Sequence, residues 1–172
     1  MADASEAPTD EELLELARRV ATACRDRGLR IGTAESCTGG LVGHLITEVP
    51  GSSDHYVGGF VTYSNEMKTS FVDVPGEVLA AHGAVSAQVA RAMAEGARHR
   101  LSVDLAVAVT GVAGPDGGTA AKPVGLTYVA VADADGDDVR RHLWDSDRTG
   151  NKRLSAAAAL DLVLSRLSGR GA

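Results

Sequence analysis

Aromatic residues are nearly missing from this chain. They make up 3% of its 172 residues: one Trp, two Phe and three Tyr. Hydrophobic residues still reach 44%, so the core has to be built from Ala, Val and Leu. A surface that stacks nucleic-acid bases interleaves aromatics with basic residues, and no such stripe exists here, so no nucleic-acid partner is expected. Cysteine is scarce as well. Cys24 and Cys37 stand alone, without the spacing of a metal site or a disulfide framework. That excludes a small disulfide-stapled scaffold and fits a reducing, cytoplasmic setting. No apolar run is long enough to cross a bilayer, and no basic segment followed by an apolar stretch marks a secretion signal. No metal is expected either. His-x-x-x-His and Cys-x-x-Cys are absent, and the acidic turn Asp133 to Asp138 lacks calcium-loop spacing and its terminal Glu.

Charge is lopsided rather than high. The formal net charge is −6, and residues 1–15 hold Asp3, Glu6, Asp10, Glu11, Glu12 and Glu15 with no Lys or Arg. That segment accounts for the whole excess, and the rest of the chain balances. Residues 1–8 read as a disordered acidic tail. Residues 9–168 read as one domain, a length that can bury a sizeable core.

The hydrophobic periods alternate between helix and strand. Thr9 with Glu12 forms a capping-box pattern, opening a helix that Gly28 ends. Residues 29–34 read as a strand and 39–49 as a helix. Residues 56–63 read as a strand, with Gly58-Gly59 marking a bulge or close packing. Residues 65–72 and 75–83 read as short helices, and Ser86 caps a longer one to about Arg100. Residues 104–110 are a buried strand, and a Gly-rich loop follows to Pro123. Residues 124–132 and 139–144 make a hairpin around an Asp-rich turn, and the last helix runs over about 150–167. Helices between strands, with a closing hairpin, predict a three-layer α/β/α sandwich with a mixed sheet in a single domain.

Strand-to-helix turns at one sheet edge are where such folds place ligands. Three stretches fall there. The first is Gly32-Thr33-Ala34-Glu35-Ser36-Cys37-Thr38-Gly39-Gly40, with Ser36 as a nucleophile candidate. A helix starting at Gly39-Gly40 would aim free amides at an anion or oxyanion. The second is Tyr63-Ser64-Asn65-Glu66-Met67-Lys68. The third is Thr110-Gly111-Val112-Ala113-Gly114-Pro115-Asp116-Gly117-Gly118, whose backbone can form an anion nest. It is neither a Walker loop nor a dinucleotide fingerprint, so no cofactor is expected. Serine needs a neighbour to take its proton. None of His44, His55, His82, His99 or His142 sits in a triad pattern, and His99 and His142 read as exposed. Lysine can serve if burial lowers its pKa, and Lys68 is the best placed, with Tyr63 near to relay or orient a proton. Arg148, before the last helix, could clamp a phosphate or carboxylate. Lys122 could add charge to the same anion site or be solvated. Cys37 is a rival nucleophile beside Ser36.

Taken together, these stretches, with Gly51-Ser52-Ser53, His82-Gly83-Ala84-Val85-Ser86 and Lys122-Pro123-Val124-Gly125, resemble the C-terminal domain family of CinA proteins, whose stand-alone members are nicotinamide-nucleotide amidohydrolases. The likeness spans roughly residues 10–168. It implies hydrolysis of the carboxamide of nicotinamide mononucleotide, a small-molecule substrate, to nicotinate mononucleotide and ammonia. It puts the family's Ser, Tyr and Lys on Ser36, Tyr63 and Lys68. It puts its loop threonine on Thr110 and its Arg on Arg148. Thr38, Gly39, Gly40, Gly111 and Gly114 complete the expected substrate site. Ser146 stands where the family commonly has Gly. The family's molybdopterin-binding-like domain is not in this sequence, so its pyrophosphatase activity is not expected. The alternative is a non-catalytic nucleotide-binding or competence- and damage-associated interaction module. A homo-oligomer stays open.

Overall fold

The computed structural model describes residues 6–169. Five strands form one sheet: β1 (Ile31–Glu35), β2 (Tyr56–Val61), β3 (Leu105–Gly111), β4 (Leu126–Asp133) and β5 (Gly136–Leu143). Six α-helices surround it: α1 (Asp10–Arg27), α2 (Leu41–Thr47), α3 (Asn65–Val72), α4 (Gly76–His82), α5 (Ala87–Leu101) and α6 (Arg148–Ser168). The strand order is β2-β1-β3-β4-β5. β1 runs parallel to β2 and β3, whereas β3–β4 and β4–β5 are antiparallel. The mixed three-layer α/β/α sandwich expected from the alternation of periods is therefore present.

The two faces of the sheet are built from different side chains. Leu105, Val107 and Val109 of β3, with Val129 and Val131 of β4, face α1, α2 and α6. The alternate residues Ala106, Ala108, Ala130 and Ala132 face α5. Alternation along a strand is what sends these two sets to opposite sides. Small residues on the second face let α5 lie close through its own Ala90, Ala94 and Ala97. Gly96 extends this outward, because a Cβ there would overlap the carbonyl oxygen of Val72 on α3. A chain poor in aromatics thus fills one face with branched aliphatics and closes the other by shortening the distance.

Local signals set the helix starts. Thr9 and Glu12 form the reciprocal capping box of α1, and Gly28 closes that helix at φ 62°. Ser64 caps α3, Ser86 caps α5 and Asp147 caps α6 through their side-chain oxygens. The expected bulge lies at the start of β2, where the register against β1 shifts. Of the expected acidic tail, residues 1–5 lie outside the described residues. Pro8, also assigned to it, has its carbonyl held by the Arg153 guanidinium at 2.7 Å.

Topology gathers the loops. β1, β2 and β3 are parallel, so Ser36, Thr62 and Thr110 all emerge at their common carboxyl edge. Backbone bonds fix them there: Ser36 N–H donates to Val109 O at 2.9 Å, and Thr62 N–H donates to Glu35 O at 2.8 Å. Two antiparallel reversals return β5 to the same direction, which delivers the start of α6 to that edge.

Candidate active site

At this edge lies a cleft of about 240 Å³, lined by Ser36, Cys37, Tyr63, Lys68, Ala84, Val85, Asp116, Arg148 and the start of the Gly-rich loop. Lys68 sits on α3, a short and mostly exposed helix, yet its own side chain is 1% exposed. It turns inward because α3 packs over the sheet edge and puts position 68 against the turn after β1. Its Nζ lies 3.0 Å from Ser36 Oγ and 2.7 Å from the Thr62 carbonyl oxygen. No acidic side chain pairs with it among the described residues. Burial lowers its pKa below the ordinary lysine value of 10.5, opposed only by the nearby Cys37. A neutral amine fits these partners: it donates to the Thr62 carbonyl and offers its lone pair to the serine hydroxyl.

Free amides at the start of α2 are not what the structure has. Glu35, buried to 1%, folds its carboxylate back over that helix end. It accepts from Gly40 N–H at 3.0 Å, Val42 N–H at 3.1 Å and Gly43 N–H at 2.8 Å. Gly39 N–H goes to the Ser36 carbonyl and Leu41 N–H to that of Thr38. Thr38, Gly39 and Gly40, expected around a ligand, do not line the cleft. The reason is electrostatic: the helix start already has its anion. In this turn only the amides of Cys37 and Thr38 lack a backbone or carboxylate acceptor among the described residues.

Tyr63 lines the cleft, but no hydrogen bond joins it to Lys68 or Ser36. Its hydroxyl accepts from Arg148 Nη2 at 3.3 Å, while Arg148 Nη1 donates to Gly114 O at 2.6 Å. Arg148 is the first residue of α6 rather than a residue ahead of it. Ser146 tucks its hydroxyl where a Cβ at Gly150 would stand, so the first turn of α6 closes around it. Thr110, expected to touch substrate, spends its hydroxyl proton on Ala84 O at 2.8 Å. Lys122 does not line the cleft; it is half-buried, and its ammonium binds the His82 carbonyl at the end of α4 at the surface. The Gly-rich loop is stapled at its base by Val112 and Gly125, and Asn151 Nδ2 holds Ala113 O at 3.0 Å.

The rival nucleophile and the histidines take other places. Cys37 is packed into the core, and burial pushes its thiol up to about 12, so it carries no thiolate at neutral pH. His44 is exposed on α2. His142, expected to be exposed, is half-buried and stacks on Trp144 with ring centroids 4.5 Å apart. Sequence reasoning gave no role to Glu35, Asp116 or Asn151, although the first two lie in stretches it placed at this edge. A lone acid ending a strand just before a helix was the one available signal for Glu35. Among the described residues no group of three or more His, Cys, Asp or Glu converges as metal ligands would, and no helix is long and apolar enough to cross a membrane.

A mixed three-layer sandwich with a polar cleft at the carboxyl ends of its parallel strands, and a buried serine–lysine pair inside it, defines the class of this molecule. The chain belongs to the CinA C-terminal domain family, whose model matches residues 13–167. It is 51% identical over 148 residues to a CinA-like protein of Geobacter sulfurreducens, covering 86% of this chain but 36% of that protein. It thus spans about a third of the length of the CinA-like relatives it matches. It is also 47% identical over 156 residues to the nicotinamide-nucleotide amidohydrolase PncC of Escherichia coli, covering 90% of this chain and 94% of that one. Among solved structures, the competence/damage inducible protein CihA from Agrobacterium tumefaciens superposes with a TM-score of 0.86 at 44% identity, covering 95% and 99% of the two chains.

Proposed function

We propose that this chain is an amidohydrolase that converts nicotinamide mononucleotide to nicotinate mononucleotide and ammonia, with Ser36 as nucleophile and Lys68 as its base. Family membership supports an amidohydrolase-type enzyme, and the resemblance to PncC over nearly its whole length supports the substrate. The observation that carries the chemistry is the 3.0 Å contact between Ser36 Oγ and a buried, acid-free lysine amine.

In this reading the Ser36 proton passes to Lys68 Nζ as Oγ bonds to the carboxamide carbon. The free amide of Cys37, which lines the cleft, receives the oxyanion; a single such donor is typically worth about 3 kcal/mol. The C–N bond then breaks, and the leaving nitrogen takes the proton from Lys68 and departs as ammonia. The acyl ester on Ser36 is cleaved by water that gives its proton to the neutral Lys68. Nicotinate mononucleotide leaves and Ser36 recovers its hydrogen from Lys68. Arg148 and the Gly-rich loop face the nucleotide phosphate, with Tyr63 as a wall rather than a relay. Asp116 suits the positive pyridinium ring, which is why the cleft carries both signs of charge.

Ammonia release from nicotinamide mononucleotide by the purified chain tests this. Turnover in wild type, lost in Ser36→Ala with its circular dichroism retained, is expected. Undiminished turnover in Ser36→Ala, or binding without turnover in wild type, overturns it.

A further inference from the structure

One wall of the cleft has little of its own to hold it. Ala84 and Val85 line the cleft from the turn between α4 and α5. Neither packs into the hydrophobic core on either face of the sheet, and neither makes a backbone–backbone hydrogen bond among the described residues. Side chains hold this turn instead. Three consecutive carbonyls each accept from a different one: His82 O from Lys122 Nζ, Gly83 O from Ser86 Oγ at 2.9 Å, and Ala84 O from Thr110 Oγ1 at 2.8 Å.

Of these donors only Thr110 and Lys122 come from outside the turn. Thr110 ties it to the end of β3, at the floor of the cleft. Lys122 ties it to the far arm of the Gly-rich loop. That loop is itself bound to α6, through Asn151 to Ala113 O and through Arg148 to Gly114 O. α6 covers one face of the sheet, and α5, into which the turn leads, covers the other. The Lys122 tie therefore crosses the sheet edge and joins the two sides between which the cleft opens.

The crossing is prepared at both ends. Lys122 N–H donates to Thr119 Oγ1 at 3.0 Å, and Thr119 N–H donates back to Lys122 O at 2.9 Å, which fixes the backbone from which the lysine reaches. At the other end Gly83 has φ 73°, and the ammonium lies 2.6 Å from where a Cβ on it would stand. A residue with no side chain leaves that path open. The ammonium also meets the carboxyl end of α4, where a positive charge is favoured.

We infer that Lys122 is a positioning residue. By holding the His82 carbonyl it fixes Ala84 and Val85 relative to the Gly-rich loop, and so sets the width of the slot that takes the flat ring of the substrate. The ring rests on the function proposed above; the tie itself does not. Ser36 and Lys68 stand on the turn after β1 and on α3, so releasing this wall leaves the reacting pair in place. What changes is that the wall must be ordered at the moment of binding rather than in advance.

Lys122→Met and Lys122→Arg test this. In the unliganded chain, the NMR order parameters of the Val85 methyl groups should fall in Lys122→Met. They should return to the wild-type values in Lys122→Arg, which keeps a donor above Gly83. Circular dichroism should be unchanged in both. With nicotinamide mononucleotide, Lys122→Met should raise KM by about 10-fold and leave kcat within about threefold, and Lys122→Arg should restore most of the KM. Wild-type order parameters at Val85 in Lys122→Met overturn the inference, as does a fall in kcat at unchanged KM. A wild type without turnover whose Val85 methyls still respond to Lys122→Met overturns the proposed function and supports the tie, so the two readings fail separately.

Discussion

Glu35 and Lys68 are each 1% exposed, and both end beside Ser36, one through the chain and one through the fold. Their surroundings differ completely. Glu35 receives three backbone amides, the arrangement a buried carboxylate requires. Lys68 receives one carbonyl and one hydroxyl, and no carboxylate. A buried ammonium left that way is destabilising, so the site favours the free base. The difference teaches how to read buried ionisable groups. Where every partner compensates the charge, the group is holding a turn. Where burial is met by no opposite charge, the group is held toward its uncharged form and is poised to take a proton.

The largest test of that contrast removes either member of the uncompensated pair. Ser36→Ala and Lys68→Met are each expected to lower kcat by about 10⁴-fold or more, as for other nucleophile and base deletions. Lys68→Met should not unfold the protein. The folded pKa of Lys68 lies below 10.5, so between the two values the unfolded chain binds more protons than the folded one. Wild-type stability relative to Lys68→Met should therefore climb with pH across that window, and the variant's advantage should be greatest in acid. Urea unfolding at several pH values measures it. The same titration predicts that kcat/KM rises with pH through the lowered Lys68 pKa. An advantage for Lys68→Met that grows with pH would reverse the sign and remove the neutral-amine reading.

Removing the compensated acid should act through geometry. Glu35→Gln keeps the shape but turns an NH₂ toward amides that need acceptors. A loss of about 1–3 kcal/mol in stability is expected from one orphaned buried donor. Because the turn it holds carries Ser36, kcat should also fall by roughly 100-fold, the cost of displacing a reacting atom by about 1 Å. The pH limb assigned to Lys68 should stay where it was. A shifted limb would mean that the two groups are electrostatically coupled rather than separate in role.

Much of this arrangement could be read from the residues alone. The caps at Thr9 and Ser86, the bounds of α3 and the closing hairpin rest on local chemistry, which a sequence carries directly. The meeting of Ser36, Lys68 and Thr110 was legible because three apolar strands followed by polar turns imply one shared edge. The seat of Glu35 was not. Whether a carboxylate folds onto its own following helix or faces a ligand depends on a backbone path set by β3, more than sixty residues away. The same holds for Tyr63 and Lys122. Their partners, Arg148 and the His82 carbonyl, come from distant segments whose register no local pattern encodes.

Arg148 is the exposed counterpart of Lys68, a permanent charge at the mouth rather than a neutral base within. If it faces the phosphate, Arg148→Ala should raise KM by about 10-fold and leave kcat within a few-fold, the signature of a lost charge-assisted contact in the bound state. Initial rates against substrate concentration separate the two. A collapse of kcat with KM unchanged would move Arg148 into the chemical step.

The smallest effect is expected at Cys37, which asks whether burial of an ionisable group beside Ser36 is by itself a sign of chemistry. Cys37 is buried and its thiol is held neutral, and the nearby Lys68 amine bonds to Ser36 Oγ and the Thr62 carbonyl rather than to the thiol. Its Sγ instead lies 3.1 Å from where a Cβ on Gly111 would stand, filling the gap between the Ser36 turn and the Gly-rich loop. Cys37→Ala should therefore cost about 1 kcal/mol of stability through a small cavity. Turnover should stay within about threefold of wild type, under 1 kcal/mol of barrier. Parallel thermal unfolding and ammonia-release rates on this variant decide it. If turnover vanishes while Ser36→Ala remains active, the nucleophile is the thiol, and the absence of compensating charge around Lys68 needs a different explanation.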